Sequence, residues 1–350
     1  MQEFKNKIIC GDCLDVLGKV REPFADLIFA DPPFNIGYKY DKYRDEVASD
    51  KYIDWTRQWM GVCKKVLKPS GSFYIAIGDD FAADVKNIAT RELKLVMRNW
   101  IIWHYTFGQQ TKNKFARAHT HIFYFVNDEK KFTFNDDIVR IISDRQKIYQ
   151  DKRANPAGKM PDDVWDEYPR LCGTFDERTD FPCQMPESLL ARIIRASSNI
   201  GDWVLDPFSG SGTTVAVARK LKRKYTGIEI SGKYVRGTIA RIKQSEGYPV
   251  EGEGKREWSE HLDAELKWLY HENKIPSERL IEDPYLLSLF SDKFNKRIGE
   301  AQNPLQAEEV GKQLLNLQKG AKLGPLRANI ESIKAKSGIG NRKRELHPKR

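Results

Sequence analysis

The sequence predicts an α/β protein: a central sheet with helices on both faces, an insert in the middle and a helical appendage at the end. Three observations predict it. The apolar run Ala25-Asp26-Leu27-Ile28-Phe29-Ala30 reads as a buried strand and ends in Asp31-Pro32-Pro33-Phe34. Far downstream, Trp203-Val204-Leu205 leads into Asp206-Pro207-Phe208-Ser209-Gly210-Ser211-Gly212-Thr213-Thr214, a strand end and glycine turn before a helix. After Gly247-Tyr248-Pro249 the chain becomes rich in Lys, Glu and Leu, with helical spacing in Leu262-Leu266-Leu269 and Leu286-Leu287-Leu289-Phe290.

In chain order, Lys7-Ile8-Ile9-Cys10 reads as a first short strand, and Asp12 to Leu17 as a turn into a helix. The strand at 26–30 follows and delivers Asp31. From Asp50 to Leu67, Tyr52, Trp55, Trp59, Val62, Cys63 and Val66 recur at helical spacing, and Lys68-Pro69-Ser70-Gly71 stops the helix. Phe73 to Ile77 is the next strand, with a helix opening after Gly78-Asp79-Asp80. Trp100 to Tyr105 and His121 to Val126 read as an antiparallel pair at the sheet edge. Between them lies the polar, basic segment 109–117, with Phe115 in its middle. Residues 128–180 have weak periodicity, many basic side chains and the interleaved aromatics Tyr149, Trp165 and Tyr168, a mixture suited to phosphate plus groove or base contacts. Thr213 to Leu221 starts the helix after the glycine turn, and Lys224 to Ile230 is the next strand, carrying Glu229 at its end.

Two of these segments carry chemistry. Strand, glycine turn, helix, strand and acid form a nucleoside-binding βαβ unit, in which Glu229 is placed for ribose hydroxyls. The segment has neither Gly-Lys-Ser/Thr nor G-x-G-x-x-G spacing, so the phosphate grip is missing and an adenosine cofactor without phosphates is implied. Asp31-Pro32-Pro33-Phe34 suits a flat exocyclic amine. The carboxylate accepts an N–H, the prolines stiffen the turn and free backbone carbonyls, and the ring can stack on a heteroaromatic base.

Together these two motifs resemble those of the S-adenosylmethionine-dependent amino-methyltransferases of DNA, which modify adenine N6 or cytosine N4. The catalytic motif comes first and the cofactor motif second, an order similar to that of the β group. The resemblance spans roughly residues 5–245. It extends to Gly11-Asp12-Cys13-Leu14-Asp15-Val16-Leu17, to Arg170 through Arg178, and to the helix-opening Phe181-Pro182-Cys183-Gln184-Met185-Pro186. It implies a circularly permuted Rossmann-like sheet: a catalytic half at 1–127, a target-recognition insert at 128–180, a cofactor half at 181–247 and a basic, mainly helical appendage at 248–350.

Site roles follow from the same resemblance. Asp31 and the Pro32 carbonyl would hold the target amine, with Pro33 completing the turn and Phe34 stacking on the base. Asp206, Gly210 and Gly212 would surround the methionine moiety of S-adenosylmethionine, with Phe208 and Thr213 also in the cofactor site. Glu229 would take the ribose and Asp12 the adenine. Lys112, Lys114, Phe115 and Arg117 would contact DNA beside the pocket. The implied reaction is methylation of N6 of a flipped adenine in double-stranded DNA, with cytosine N4 as the alternative and an RNA or protein amide substrate behind it. Partners left open are a homodimer and a separate cognate restriction endonuclease.

Composition agrees with a nucleic-acid partner. The 350 residues carry a net charge of +10 and a pI near 9.1. Five cysteines, an odd number, make no disulfide framework, and Cys10-x-x-Cys13 lacks a second pair at zinc spacing, so no metal is expected. No apolar run has membrane length and no signal peptide is seen, so a cytoplasmic protein is expected; the resemblance implies association with the nucleoid and a bacterial, archaeal or phage origin. Pro182-Cys183-Gln184 resembles the thiolate motif of cytosine-C5 methyltransferases. It stands in front of the cofactor motif, however, and would leave Asp31-Pro32-Pro33-Phe34 without a task, so Cys183 is expected to pack at the mouth of a helix starting near Met185-Pro186. The terminal run 341–350 carries five basic residues against one acid and reads as a solvated tail or a duplex-holding segment.

Overall fold

The computed structural model describes residues 2–109, 111–171, 177–244, 258–299, 304–324 and 326. Gln110, the stretch Cys172–Asp176, Gly247-Tyr248-Pro249 and the tail 341–350 lie outside them. In chain order the first elements are β1 (Lys7–Cys10), α1 (Cys13–Gly18), β2 (Ala25–Ala30), α2 (Ser49–Val66), β3 (Leu67–Ile77), α3 (Asp79–Asn87), β4 (Val96–Gln109) and β5 (Arg117–Val126). There follow α4 (Asp136–Val139), α5 (Asp144–Tyr149), β6 (Val164–Trp165), α6 (Glu187–Ser197), β7 (Trp203–Asp206), α7 (Thr213–Lys220), β8 (Lys224–Glu229) and α8 (Gly232–Gln244). The last helices are α9 (Glu260–Asn273), α10 (Ser277–Glu282), α11 (Pro284–Ile298) and α12 (Ala307–Lys319).

The eight strands form one sheet in the order β1-β8-β7-β2-β3-β5-β4-β6. All neighbours pair in parallel except at β5, which runs against both β3 and β4. β2 lies at the centre and is covered on both faces, which is why it reads as a continuous apolar run rather than an alternation: Leu27, Ile28, Phe29 and Ala30 are all buried. Its one acid, Asp26, is satisfied across the sheet, accepting from Lys68 Nζ on β3 (2.8 Å) and from the Trp203 amide on β7 (2.8 Å). α2 buries Tyr52, Trp59, Met60, Cys63 and Val66 against the sheet, the stripe that its helical spacing predicts.

Two local expectations change. The breaker Lys68-Pro69-Ser70-Gly71 lies inside β3, not before it. The ladder with β2 shifts register between Ala25↔Leu67 and Leu27↔Ser72, because a proline without an N–H cannot continue the pairing and the chain bulges past it. At the other side, β4 and β5 pair antiparallel as expected, but two residues of the insert, Val164 and Trp165, add β6 outside β4. Trp165 and Tyr168, expected as groove or base contacts, are buried. Arg192 of α6 stacks over both rings, 5.2 and 4.9 Å from their centroids, and forms a buried ion pair with Glu167; the Trp103 indole donates to the Tyr168 carbonyl (2.8 Å). These aromatics anchor the insert to the sheet, since a ring can cover a buried guanidinium while its own surface leaves water.

The chain divides into two compact units, residues 1–143 with 153–261, and residues 144–152 with 262–350. The second is helical. It packs Leu266, Leu269, Leu280, Leu286, Phe290, Phe294, Val310 and Leu314 together and buries an Arg297–Glu272 ion pair. It takes in α5 from the insert, whose Lys147 carbonyl accepts from Arg279 and whose neighbour Gln150 donates to Asp283 (2.9 Å). Among the described residues no helix is long and apolar enough to cross a membrane.

Candidate active site

The sheet places the two motifs side by side. From β2 the chain crosses through α2 to β3 on one side, and from β7 through α7 to β8 on the other, so β2 and β7 flank the point where the connections diverge. Ligand crevices of open parallel sheets form at this point, outside the carboxyl ends of the strands. Four adjacent strands end here in an acid: Asp12 after β1, Glu229 on β8, Asp206 on β7 and Asp31 after β2. All four line one cleft in the first unit, together with Pro32, Pro33, Phe34, Phe208, Gly210 and Thr213.

On the cofactor side the turn after β7 is held by backbone. The Ser209 amide donates to the Ile228 carbonyl (2.8 Å), and the Gly212 amide to the Ser209 carbonyl (2.7 Å). Gly212 has φ +74, and a Cβ there would lie 2.3 Å from Thr238 Cγ2, so only glycine fits between α7 and α8. Glu229 accepts the Gly210 amide at Oε2 (2.9 Å) and the Ser231 amide at Oε1 (2.8 Å), which leaves further lone pairs on both oxygens. Asp12 caps α1 through the Leu14 amide (2.8 Å). Arg241, not singled out in the sequence, ties the turn to the body of the fold: it donates to the Ser211 carbonyl (3.2 Å) and pairs with buried Glu187 (2.7 Å).

These residues fit S-adenosylmethionine. Ser209 Oγ is buried without a hydrogen-bond partner in the turn that lines the cleft; Gly210 lines the cleft with its backbone, while a Cβ on Gly210 or Gly212 would meet Phe181 or Thr238. Among the described residues the lining carries the acids Asp12, Asp31, Asp41, Asp206 and Glu229 against one cation, Lys42. Such a cleft repels a pyrophosphate and suits an adenosine bearing a sulfonium and an ammonium.

On the catalytic side the motif is locked from behind. The Tyr52 hydroxyl donates to the Pro33 carbonyl (2.5 Å), and Phe34 packs on Gly78, where a Cβ would meet its ring at 3.3 Å. The segment after the motif folds around Asp45, whose buried carboxylate accepts the amides of Asn35 (2.7 Å), Ile36 (3.1 Å) and Tyr38 (3.0 Å). Asn35 closes the same loop on Val47 through two hydrogen bonds. Across the cleft, Ser231 Oγ donates to Asp41 (2.6 Å), so the loop after β2 reaches the residues that follow β8. Tyr40, Asp41, Asp45 and Tyr52 are missed by sequence reasoning; the aromatic and acidic run Tyr38-Lys39-Tyr40-Asp41-Lys42-Tyr43, directly after the motif, is the signal that could have found the first two.

Burial shapes the charges. It lifts Asp31 well above the usual carboxylate range, with the charge of Asp206 adding to the effect. It pushes Asp206 up to about 7 against the pull of the Thr214 hydroxyl and the Phe208 amide. Glu229 is raised by burial too, but backbone amides oppose the rise. Phe208 itself turns inward, edge-on to Trp55 and Trp59, so its amide rather than its ring faces the acid. Cys183 reaches the cleft just ahead of α6, where its thiol shares a hydrogen bond with Tyr40, and burial together with Asp31 raises its pKa. A thiol held protonated beside a carboxylate is a poor nucleophile. Cys13 is pushed up to about 12 by burial.

The hairpin between β4 and β5 rises at the same sheet edge. Lys112 and Lys114 are exposed and the Phe115 ring is bare, at 101% relative exposure. Arg117 behaves differently from its neighbours: its guanidinium pairs with Asp79 (2.8 Å) and Asp80 (3.3 Å), so it braces the hairpin. Asp79 also meets His119 and His121 at 3.2 and 3.1 Å, a trio with the composition of a metal site. The Trp100 indole, a donor only, donates to His121 Nδ1 (3.0 Å), which puts the imidazole hydrogen on Nε2 toward Asp79. The trio is therefore a hydrogen-bonded brace.

Comparison with known proteins agrees with this geometry. Residues 25–241 match the family model described as DNA methylase, N6 and N4. The chain is 39% identical over 252 residues to the DNA adenine methyltransferase YhdJ of Escherichia coli K12, covering 70% of this chain and 85% of that one. It is 37% identical to the type II methyltransferase M.HpaI of Haemophilus parainfluenzae, covering 67% and 74%. Among solved structures, the cytosine-N4-specific PvuII DNA methyltransferase shares the fold with TM-score 0.55 at 18% identity, covering 77% of this chain and 93% of that one. With Asp31-Pro32-Pro33-Phe34 and the glycine turn joined at one switch point, the chain belongs to the DNA methylase family of S-adenosylmethionine-dependent amino-methyltransferases.

Proposed function

We propose that this chain methylates N6 of an adenine turned out of double-stranded DNA at a specific sequence. The observation that carries this reading is the placement of Asp31-Pro32-Pro33-Phe34 beside the Asp206 turn at the ends of two paired strands. Adenine is favoured over cytosine by the Asp that opens the motif and by the adenine specificity in the name of YhdJ, the 39% identical relative. The fold alone does not separate the two bases, since the PvuII enzyme carries it with cytosine N4.

An exocyclic amine is planar because its lone pair is delocalised into the ring. Asp31 and the Pro32 carbonyl each accept one N–H and favour a pyramidal nitrogen with a localised pair. The Tyr52 hydrogen bond to Pro33 holds that backbone in place, and Phe34, seated on Gly78, stacks on the base. S-adenosylmethionine supplies an electrophilic methyl group and a positive charge. Asp206, Gly210, Thr213 and Phe208 would hold its methionine end, with Gly212 shaping the turn behind them, Glu229 would hold the ribose and Asp12 the adenine. Asp31 need not take the proton before attack; the ammonium formed on N6 loses it afterwards. Orientation of two substrates supplies much of the rate, out of roughly 7–11 kcal/mol available from this source.

We assign target reading to the insert within 128–180 and phosphate contacts to Lys112 and Lys114, with the catalytic half at 1–127, the cofactor half at 181–247 and the appendage at 248–350. DNA as substrate places the chain with the nucleoid in the cytoplasm of a bacterial, archaeal or phage-infected cell. The type II designation of M.HpaI supports a cognate restriction endonuclease that acts separately. A homodimer would show as doubled mass in light scattering. Single-molecule sequencing of DNA from cells expressing the chain tests the reading: N6-methyladenine at one sequence context is expected, absent with Asp31→Ala. N4-methylcytosine instead, or methylation that survives in Asp31→Ala, would overturn it.

A further inference from the structure

Behind the glycine turn lies a buried cluster of charges. Glu187, the first residue of α6, accepts from Lys220 Nζ (2.6 Å) and from Arg241 Nη2 (2.7 Å). Its amide donates to Glu177 Oε2 (2.9 Å). Burial, and then the charge of Glu187, push Glu177 up to about 7, so at neutral pH two cations face less than two full negative charges. The other terminal nitrogen of Arg241 points the excess at the turn. Nη1 donates to the Ser211 carbonyl (3.2 Å) and to Thr213 Oγ1 (3.1 Å), and Thr213 Oγ1 lies 2.9 Å from Ser211 Oγ. Ser211 and Thr213 line the cleft, and Arg241 stands one layer behind them. A hydroxyl that accepts from a guanidinium keeps its hydrogen for another acceptor, and the charge behind it strengthens it as a donor. At the same turn Ser209 Oγ is buried without a partner, and α7 opens at Gly212 with no side-chain cap.

We propose that Arg241 is a positioning residue for the carboxylate of S-adenosylmethionine, acting through the hydroxyls of Thr213 and Ser211. This rests on the assignment of the glycine turn to the methionine end of the cofactor, and adds how its one negative group is held. The cofactor carries a sulfonium, an ammonium and a carboxylate. Asp12, Asp31, Asp41, Asp206 and Glu229 in the lining suit the first two. The carboxylate is repelled by the same acids and needs donors backed by positive charge. Arg241 supplies that charge without entering the cleft, where a guanidinium would oppose the sulfonium. Its planar fork reaches Glu187, the Ser211 carbonyl and the Thr213 hydroxyl at once, a geometry that a lysine ammonium does not reproduce.

Calorimetry with two compounds tests the assignment: S-adenosylmethionine, and its decarboxylated form, which keeps the sulfonium and the ammonium. The wild type should bind the carboxylate-bearing compound more tightly. Arg241→Gln should weaken that binding about 10-fold, the scale of one hydrogen bond to a charged group, and leave the decarboxylated compound nearly unaffected. Thr213→Val removes the hydroxyl but keeps the Arg241–Glu187 pair, so it should show the same selective loss even if Arg241→Gln does not fold. The double variant should lose little more than either single one, because the two side chains act as a unit. Arg241→Lys keeps the charge beside Glu187 and should recover part of the affinity. Equal losses for both compounds would show that Arg241 only holds the turn and would overturn the proposal, as would unchanged affinity in the folded variants. A wild type that binds both compounds equally would overturn it too, with the cofactor assignment intact. A wild type that binds neither would overturn the cofactor assignment as well.

Discussion

Asp31 and Asp206 are two buried carboxylates at the ends of neighbouring strands: burial, and then the charge of Asp206, lift Asp31 well above the usual carboxylate range. Burial also takes Asp206 to about 7. These two acids thus cost stability when they ionise. A cationic cofactor supplies the charge that would offset this, so cofactor binding and proton release are linked.

The first prediction is a pH dependence. Below the ordinary Asp value both folded and unfolded states hold the Asp206 proton. Between about 4 and 7 only the folded state holds it, so stability of the empty protein falls as pH rises through this window and levels off above it. Full ionisation at a three-unit shift corresponds to on the order of 4 kcal/mol as an upper bound. Differential scanning fluorimetry from pH 5 to 8 should show a steeper loss of Tm for the wild type than for Asp206→Asn. Affinity for S-adenosylmethionine should rise over the same range. Parallel melting curves for the two proteins would sink the assignment.

Glu229 separates binding from chemistry. Its carboxylate already receives the Gly210 and Ser231 amides, so Glu229→Ala removes a ligand contact and loosens the turn. Calorimetry should show a loss of roughly 1.5–3 kcal/mol in S-adenosylmethionine binding. Asp31→Ala should keep cofactor affinity within a few-fold while abolishing transfer. Unchanged affinity in a folded Glu229→Ala protein would mean that the βαβ unit binds something else.

Cys183 lies nearer the chemistry than its place ahead of α6 suggested, yet the amine reaction gives its thiol no task. Cys183→Ser should retain transfer, and a 5-fluorocytosine oligonucleotide should leave no adduct that survives denaturing electrophoresis. Collapse of activity together with such an adduct would move the target atom to carbon 5.

Gly212 offers a test of the cofactor turn that touches no ligand. Gly212→Ala forces a Cβ to 2.3 Å from Thr238 Cγ2 and places an L side chain at φ +74. The αL backbone alone costs about 1–2 kcal/mol, and the clash adds to it. Thr238→Ser removes the clashing methyl, so the double variant should recover part, but not all, of the lost Tm. Full recovery would show that the backbone is not strained; the Oγ and Cβ that Ser retains, at 2.7 and 2.9 Å in Thr238, keep the recovery partial.

Much was legible in the sequence because it is written in local chemistry. A continuous apolar run marks a strand covered on both faces, as at 25–30, and glycine spacing marks a tight turn between strand and helix, as at 210 and 212. The missing phosphate grip after Asp206 and the acid at 229 are the local signals from which the sequence leads one to expect an adenosine site without phosphates. What tertiary structure alone decided are the contacts between residues far apart in the chain. No local pattern shows that Asp45 gathers three amides of the loop after the motif, that Arg117 is taken up by Asp79 and Asp80, or that Trp165 and Tyr168 are buried under Arg192. A basic or aromatic side chain has the same local signature whether it faces DNA or a buried partner. Which one it meets depends on what the sheet brings to its side, and only the packed fold fixes that.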